Sequence, residues 1–133
     1  MKSIEVISRA IILNSSQILL CRNKEYNRYY LPGGHVEFGD SMEKTVYKEL
    51  NEEMGLKEDQ IQNLKYLDVL ENFFGEGDDV SHEINLIFTA SLADGTEIKS
   101  TEPHIDFEWR NVSELESIPF VPKQLISIIK NVN

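Results

Sequence analysis

Apolar residues recur every fourth position between residues 41 and 54, and this spacing predicts an amphipathic α-helix. Met42, Val46, Leu50 and Met54 would form the buried stripe of that helix. Gly55 follows directly, at the place where a glycine commonly ends a helix in the left-handed conformation. A helix is therefore predicted over residues 41–54, with one face in the core.

Runs of β-branched, aromatic and other apolar residues predict strands on both sides of this helix. They cover residues 4–13, 17–21, 29–31, 64–74, 84–92 and 105–110. Asn14-Ser15-Ser16 is predicted to close the first hairpin, Asp94-Gly95 to form a later turn, and residues 75–83 to form an acidic loop. Pro122 is predicted to open a final apolar helix that continues to about Val132. Strands that surround two helices indicate an α/β fold.

The run Pro32-Gly33-Gly34 interrupts the pattern after the third predicted strand. Glycine has no Cβ atom and tolerates unusual backbone angles, so its backbone can come close to a ligand. We therefore expect this run to separate the third strand from the next element and to let the backbone come close to a ligand.

Glu49, Glu52 and Glu53 stand at positions i, i+3 and i+4 of the predicted helix. Each like-charged pair at this spacing destabilises an isolated helix by roughly 0.2–0.5 kcal/mol, so the cluster makes best sense beneath a cation. Glu53 also falls almost in line with Val46, at the edge of the apolar stripe, where an unpaired charge is costly to bury. Carboxylate oxygens without cysteine or histidine ligands favour Mg²⁺, with Mn²⁺ as an alternative. The cluster predicts a divalent metal site and chemistry on phosphate.

The segment that carries these glutamates resembles the Nudix box, whose pattern is glycine-x5-glutamate-x7-Arg-Glu-apolar-x-Glu-Glu-x-Gly-apolar. Asp40 and Lys48 are conservative departures, because the family has glutamate and arginine at these two positions. The upstream run from Tyr30 to Glu37 is also similar to the family's usual lead-in. The positions that match outright are Gly34, Glu49, Leu50, Glu52, Glu53, Gly55 and Leu56.

The resemblance to the Nudix (MutT-like) family implies both a fold and a reaction. The fold would be an α/β/α sandwich with a mixed, curled sheet. The reaction would be Mg²⁺-dependent hydrolysis of a pyrophosphate bond in a nucleoside diphosphate derivative or a nucleoside triphosphate, with release of a nucleoside monophosphate. The metal ligands carried over from the family are the Gly33 carbonyl and the side chains of Glu49, Glu52 and Glu53.

The general base varies across the family, so one of the box glutamates or a loop glutamate would fill that role. Glu102 is the candidate from outside the box, because it lies in a polar loop seven residues before Trp109, roughly where some relatives place an extra acidic ligand. The alternative for Glu102 is a solvated loop residue.

The two departures from the box have separate physical consequences. Lys48 keeps the charge of arginine but lacks its planar fork, so it would hold Glu49 more loosely if this position orients that carboxylate, and activity would be reduced without being lost. Asp40 is a good helix N-cap, with Glu43 three residues later completing a capping-box pattern. Helix capping and metal binding are both open interpretations of Asp40.

Three arginines are candidate contacts for substrate phosphates. Arg22 and Arg28 cluster with Lys24 just before the glycine pair, although a charged surface loop is the favoured explanation for at least two of these three side chains. Arg9 interrupts an otherwise apolar strand. It would contact substrate if its face of the strand lines the pocket, and it would be an ordinary strand residue if that face meets solvent.

Length and composition set the remaining expectations. A chain of 133 residues with 41% hydrophobic content fits one domain, over residues 1–133. A net charge of −10 argues against general affinity for nucleic acid or for an anionic membrane surface. The single cysteine, Cys21, excludes an intramolecular disulfide and is expected to be a buried strand residue. No signal-peptide profile and no apolar run of about 20 residues is found, so a cytoplasmic location is expected.

Two other classes of function compete with a small-molecule pyrophosphohydrolase. One is a Nudix-like nucleotide-binding or regulatory domain that has lost its chemistry, which the departures at Asp40 and Lys48 keep open. The other is an RNA-end pyrophosphohydrolase, which the acidic composition disfavours. The resemblance further suggests a homodimer, since relatives are often dimers.

Overall fold

The central element of the molecule is a mixed β-sheet with an α-helix on each face. The computed structural model describes residues 2–133. Within these residues the strands are β1 (Ile4–Asn14), β2 (Gln17–Asn23), β3 (Arg28–Tyr30), β4 (Gly33–His35), β5 (Ile61–Phe74), β6 (Ser81–Leu92) and β7 (Ile105–Asn111). The α-helices of the same residues are α1 (Met42–Met54) and α2 (Leu125–Val132), and 3₁₀ turns cover Glu58–Gln60, Gly77–Asp79 and Val112–Glu114.

The sheet is built around its first strand. Its order is β3-β2-β1-β6-β5, with β4 pairing with β1 and β7 pairing with β2. β1 runs parallel to β6 from the pair Ile4 and His82 to the pair Ile12 and Ala90, whereas its other pairings are antiparallel. The sheet is therefore mixed, as expected from the family resemblance.

Side chains of β1 pack alternately into two separate hydrophobic cores, because successive residues of a strand point to opposite faces of the sheet. Ile12 packs with Val46, Leu50 and Met54 of α1. Ile11, one residue earlier, packs with apolar residues of α2 on the other face. The predicted α/β/α sandwich is confirmed, and the predicted burial of Cys21 in a strand is confirmed as well.

The glycine pair is part of a short strand. Gly33–His35 form the short strand β4, in which Gly33 pairs with Arg9 and His35 with Ile7. A Cβ atom on Gly33 would lie 2.0 Å from the Ser8 carbonyl oxygen, so only glycine lets the two backbones approach this closely. The strand pattern is interrupted at Leu31 and Pro32, and the missing side chain of Gly33 then permits pairing with β1.

Other element boundaries differ from the predictions by a few residues. β6 begins at Ser81, inside the stretch predicted as loop, and α2 begins at Leu125 rather than at Pro122. Met42 was predicted to be part of the buried stripe of α1, but it lies in the first turn of the helix and its side chain is 39% exposed. Within residues 2–133, neither α-helix has the length and apolar character that a bilayer crossing requires.

Candidate functional site

A cavity of about 550 Å³ opens where α1, β4 and the loop before β7 meet. α1 contributes Glu49 and Glu53 to its wall, and the loop before β7 contributes Glu102. Three of the acidic residues singled out from the sequence therefore line one cavity. The remaining lining residues are Gly33, Gly34, His35, Glu37, Ser100, Thr101, Ile105 and Phe107.

Both ends of α1 are fixed, which holds its glutamates in place. Ser41 is the N-cap, and its hydroxyl accepts a hydrogen bond from the Lys44 backbone N–H at 3.0 Å. Gly55 ends the helix in the left-handed conformation, with φ of 69°. The suggestion that Asp40 caps the helix was wrong, because the neighbouring Ser41 takes that position.

Gly34 lies directly against Glu49. A Cβ atom on Gly34 would be 2.2 Å from the carboxyl carbon of Glu49. The absence of a side chain at position 34 therefore allows this carboxylate to lie against the backbone of β4. Burial and then the nearby charge of Glu52 raise the pKa of Glu49.

Glu53 is the most strongly perturbed carboxylate of the site. Its Oε1 atom is buried and has no hydrogen-bond partner among the described residues. Burial and then the charge of Glu49 raise its pKa to about 8, although the Gly33 backbone and the Arg9 guanidinium act in the opposite direction. A buried carboxylate oxygen without a hydrogen-bond partner destabilises the fold unless a ligand binds to it.

Glu52 does not face the cavity with its two neighbours. It is exposed, and it is absent from the cavity lining. Over residues 2–133, no three His, Cys, Asp or Glu side chains are already arranged so that they could hold a metal ion. Glu49 and Glu53 nevertheless fit a hard divalent cation, because they offer carboxylate oxygens and one of these oxygens is buried and unpartnered. The ligand set carried over from the family stays a prediction.

Lys48 contacts the carboxylates of Glu37 and Asp40, and not that of Glu49. Its ammonium lies 3.2 Å from Glu37 Oε2 and 3.6 Å from Asp40 Oδ2. Asp40 also pairs with Lys44 at 3.1 Å, and it does not line the cavity. Lys48 therefore connects α1 to the loop that precedes it. Glu37, which lines the cavity, was not singled out from the sequence, although its place in the family's lead-in could have marked it.

Comparison with known proteins shows the family of the whole chain. A sequence model of the NUDIX domain matches residues 5–131, which is nearly the whole chain. The chain belongs to the Nudix family. The prediction of an enzyme of the Nudix pyrophosphohydrolase type is thereby confirmed.

Individual relatives of this Nudix chain are distant. It is 23% identical to the uncharacterized Nudix hydrolase YvcI of Bacillus subtilis over 92% of its own length and 75% of that protein. It is 29% identical to the NAD-capped RNA hydrolase NudC of Chromobacterium violaceum over 82% of its own length, but spans only 38% of NudC. A crystal structure of the MutT Nudix hydrolase from Burkholderia pseudomallei superposes with a TM-score of 0.78 at 22% identity, covering 99% of this chain and 100% of the other. This last likeness shows the fold.

The arginines of this Nudix chain lie outside the cavity lining. Arg9 is partly buried on the sheet, where its Nε donates to Asn85 Oδ1 at 2.7 Å and its Nη1 donates to the Leu31 carbonyl at 3.0 Å. It thus holds the backbone that leads into the glycine pair, which is a third role beyond the two considered from the sequence.

Arg22 lies on β2 and Arg28 on β3, and these two strands pair with each other. Arg22 donates to Asn27 Oδ1 at 3.3 Å, with a Glu108 carboxylate at 4.0 Å, and Arg28 is exposed. Lys24, the third basic residue of this group, pairs with Asp106 at 3.2 Å. None of these three side chains lines the cavity that contains Glu49 and Glu53, and their proposed contact with substrate stays a prediction.

Proposed function

We propose that this Nudix enzyme hydrolyses a pyrophosphate bond in a nucleoside diphosphate derivative or a nucleoside triphosphate, in a Mg²⁺-dependent reaction that releases a nucleoside monophosphate. The observation that carries the proposal is the buried, unpartnered oxygen of Glu53 beside Glu49, at the glycine strand of a cavity of about 550 Å³. This volume suits a small-molecule ligand. The name of NudC, a hydrolase of NAD-capped RNA, supports a nucleotide derivative as the substrate.

The residues proposed to hold Mg²⁺, with Mn²⁺ as the alternative ion, are the Gly33 carbonyl and the carboxylates of Glu49, Glu52 and Glu53. Such an ion, when bound, neutralises charge on phosphate oxygens and lowers the pKa of a water molecule. Glu53 and Glu49 are held by α1, so they would meet an ion with little backbone rearrangement. Glu52 projects from the same helix, and it is proposed to join them when an ion is bound.

Glu102 is proposed as the acidic group that acts from the loop before β7. It lines the same cavity as Glu49 and Glu53, and its charge contributes to the raised pKa of Glu53. A carboxylate placed there can accept a proton from a water molecule that attacks the substrate. We further propose a single Nudix domain over residues 1–133, a cytoplasmic location and a homodimeric assembly.

The glutamates are tested by Glu52→Gln and Glu53→Gln, assayed with a panel of nucleoside triphosphates and nucleoside diphosphate derivatives. Each substitution keeps the size of the side chain and removes its charge, so kcat should fall by about 100-fold or more while the fold is kept. Nucleoside monophosphate release measures turnover, with Mg²⁺ and with EDTA, and circular dichroism checks the fold.

Glu43→Gln is the matched control for this experiment, because Glu43 is an exposed glutamate in the first turn of the same helix. It should retain the turnover of the unmodified protein. Near-normal turnover in both Glu52→Gln and Glu53→Gln would defeat the proposed site. Tight nucleotide binding without turnover across the whole panel would instead favour the binding or regulatory domain.

A further inference from the structure

The last turn of α1 is completed by residues from the loop before β7. The final four carbonyl groups of an α-helix have no partner within the helix. In α1 these are the carbonyls of residues 51–54, and the Gly55 N–H satisfies that of Asn51 at 2.9 Å. The hydroxyl of Thr101 lies 2.9 Å from the Glu52 carbonyl oxygen and 3.3 Å from the Glu53 carbonyl oxygen, so these two acceptors share its hydrogen bond. The Lys99 N–H donates to the Met54 carbonyl at 3.2 Å.

Thr101 therefore binds the backbone of two box glutamates and is followed directly by Glu102. Consecutive Cα atoms are only about 3.8 Å apart, so fixing Thr101 limits where Glu102 can lie. Both Thr101 and Glu102 line the cavity that contains Glu49 and Glu53. A single hydroxyl thus links the loop glutamate to the helix glutamates.

The other side of this loop is fixed independently of α1. The Ser100 hydroxyl lies 2.8 Å from the Glu102 carbonyl, and the Lys24 N–H donates to the His104 carbonyl at 2.9 Å. These bonds shape the loop and attach it to the end of β2. On the α1 side, Thr101 provides the side-chain contact and Lys99 a backbone contact.

We propose that Thr101 is a positioning residue, whose hydroxyl holds the Glu102 carboxylate at its working distance from Glu49 and Glu53. This inference rests on the proposed hydrolase function and on the role given there to Glu102. It differs from helix capping alone, because capping alone would make Thr101 matter for stability and leave turnover by the folded enzyme unchanged. A displacement of about 1 Å in a reacting group can cost as much as 100-fold in rate.

The test compares Thr101→Val, which removes the hydroxyl at nearly constant volume, with Thr101→Ser, which keeps it. Thr101→Val should lower kcat about tenfold or more with KM nearly unchanged. The reason is that the Glu102 carboxylate would be displaced while no contact that binds the substrate would be lost. Thr101→Ser should restore kcat. If Thr101→Val fails to fold, Thr101→Ala takes its place in the same comparison.

A double-mutant cycle with Glu102→Gln shows whether Thr101 acts through Glu102. Thr101→Val should have no further effect on kcat in the Glu102→Gln protein. Hydrogen exchange of the amides of residues 99–105, measured without nucleotide or metal, should speed up in Thr101→Val and not in Thr101→Ser. This second readout does not depend on turnover.

The results separate this inference from the proposed function. Unchanged kcat in Thr101→Val, an equal loss in both backgrounds, or normal turnover in Glu102→Gln would overturn the positioning role while leaving hydrolysis intact. Failure of the unmodified protein to turn over any nucleotide of the panel would overturn both.

Discussion

At the scale of single residues, the two adjacent glycines have different tasks. Gly33 faces backbone, since an added Cβ atom would lie 2.0 Å from the Ser8 carbonyl oxygen, and its φ of 152° is unusual for other residues. Gly34 faces the end of the Glu49 side chain, which can rotate away. The same substitution should therefore damage the fold at one position and the site at the other.

Gly33→Ala should reduce the free energy of unfolding by about 1–3 kcal/mol, because the clash is with backbone that cannot move independently. Gly34→Ala should leave stability nearly unchanged and lower kcat, because the Glu49 carboxylate must leave its place. Urea denaturation and the nucleotide assay measure the two effects, and each variant is the control for the other. Full activity in Gly34→Ala would mean that the position of Glu49 is unimportant.

The sequence could identify the candidate carboxylates, but it could not show which of them face the cavity. At about 100° per residue, Glu52 lies roughly 60° from Glu49 and 100° from Glu53 around the helix, on the outer side. The spacing shows that the three glutamates are neighbours on the helix. Which face of α1 points into the cavity depends on how β4 packs against it. The bonds of Arg9 to Asn85 and Leu31 join residues far apart in the chain, which local patterns do not reveal.

At the scale of elements, α1 shows which boundary features can be predicted. The apolar spacing and Gly55 gave its course and its end, because both depend on nearby residues. The N-cap was missed because Asp40 and Ser41 are both good caps, and local sequence does not choose between them. Lys44 and Lys48 pair with the Asp40 carboxylate, which leaves Ser41 to cap the helix.

Asp40 and Ser41 should therefore contribute to stability with different pH dependence. Ser41→Ala should cost about 1 kcal/mol at every pH, because a serine cap does not titrate. The hydrogen bond from Lys44 is the main cause of the lowered pKa of Asp40, so folding favours the charged form of Asp40. The stability from Asp40 is thus complete above the ordinary aspartate pKa of about 3.9, and it is lost as the pH falls through the lower folded value.

Denaturation of Asp40→Asn and of the unmodified protein, compared between about pH 5 and about pH 2, measures this effect. The difference in unfolding free energy should close toward the acidic end, whereas the difference for Ser41→Ala should persist. A constant difference for Asp40→Asn would contradict the ion pairing.

At the scale of the whole molecule, charge should restrict the substrate to small nucleotides. The net charge is −10, and Lys24, Lys44, Lys48 and Arg110 are paired with carboxylates of the chain itself. A long polyanion would therefore be repelled over the surface outside the cavity.

Turnover of a 5′-triphosphorylated RNA should accordingly be at least about tenfold below that of the best small nucleotide. It should rise with added salt, since salt screens repulsion between exposed charges. Phosphate or pyrophosphate release from both substrates at two salt concentrations checks this. Equal turnover at low salt would restore the RNA-end hydrolase as a function.

The parallel pairing of β1 with β6 also has a consequence for biosynthesis. β1 leaves the ribosome first, yet its parallel neighbour begins at Ser81, and β2 finds β7 only from Ile105 onward. Such distant pairings make folding slow and keep strand edges open until they form. The edge of β1 that pairs with β6 and the edge of β2 that pairs with β7 therefore stay open until the second half of this sequence has been made, and during that period they are exposed to aggregation.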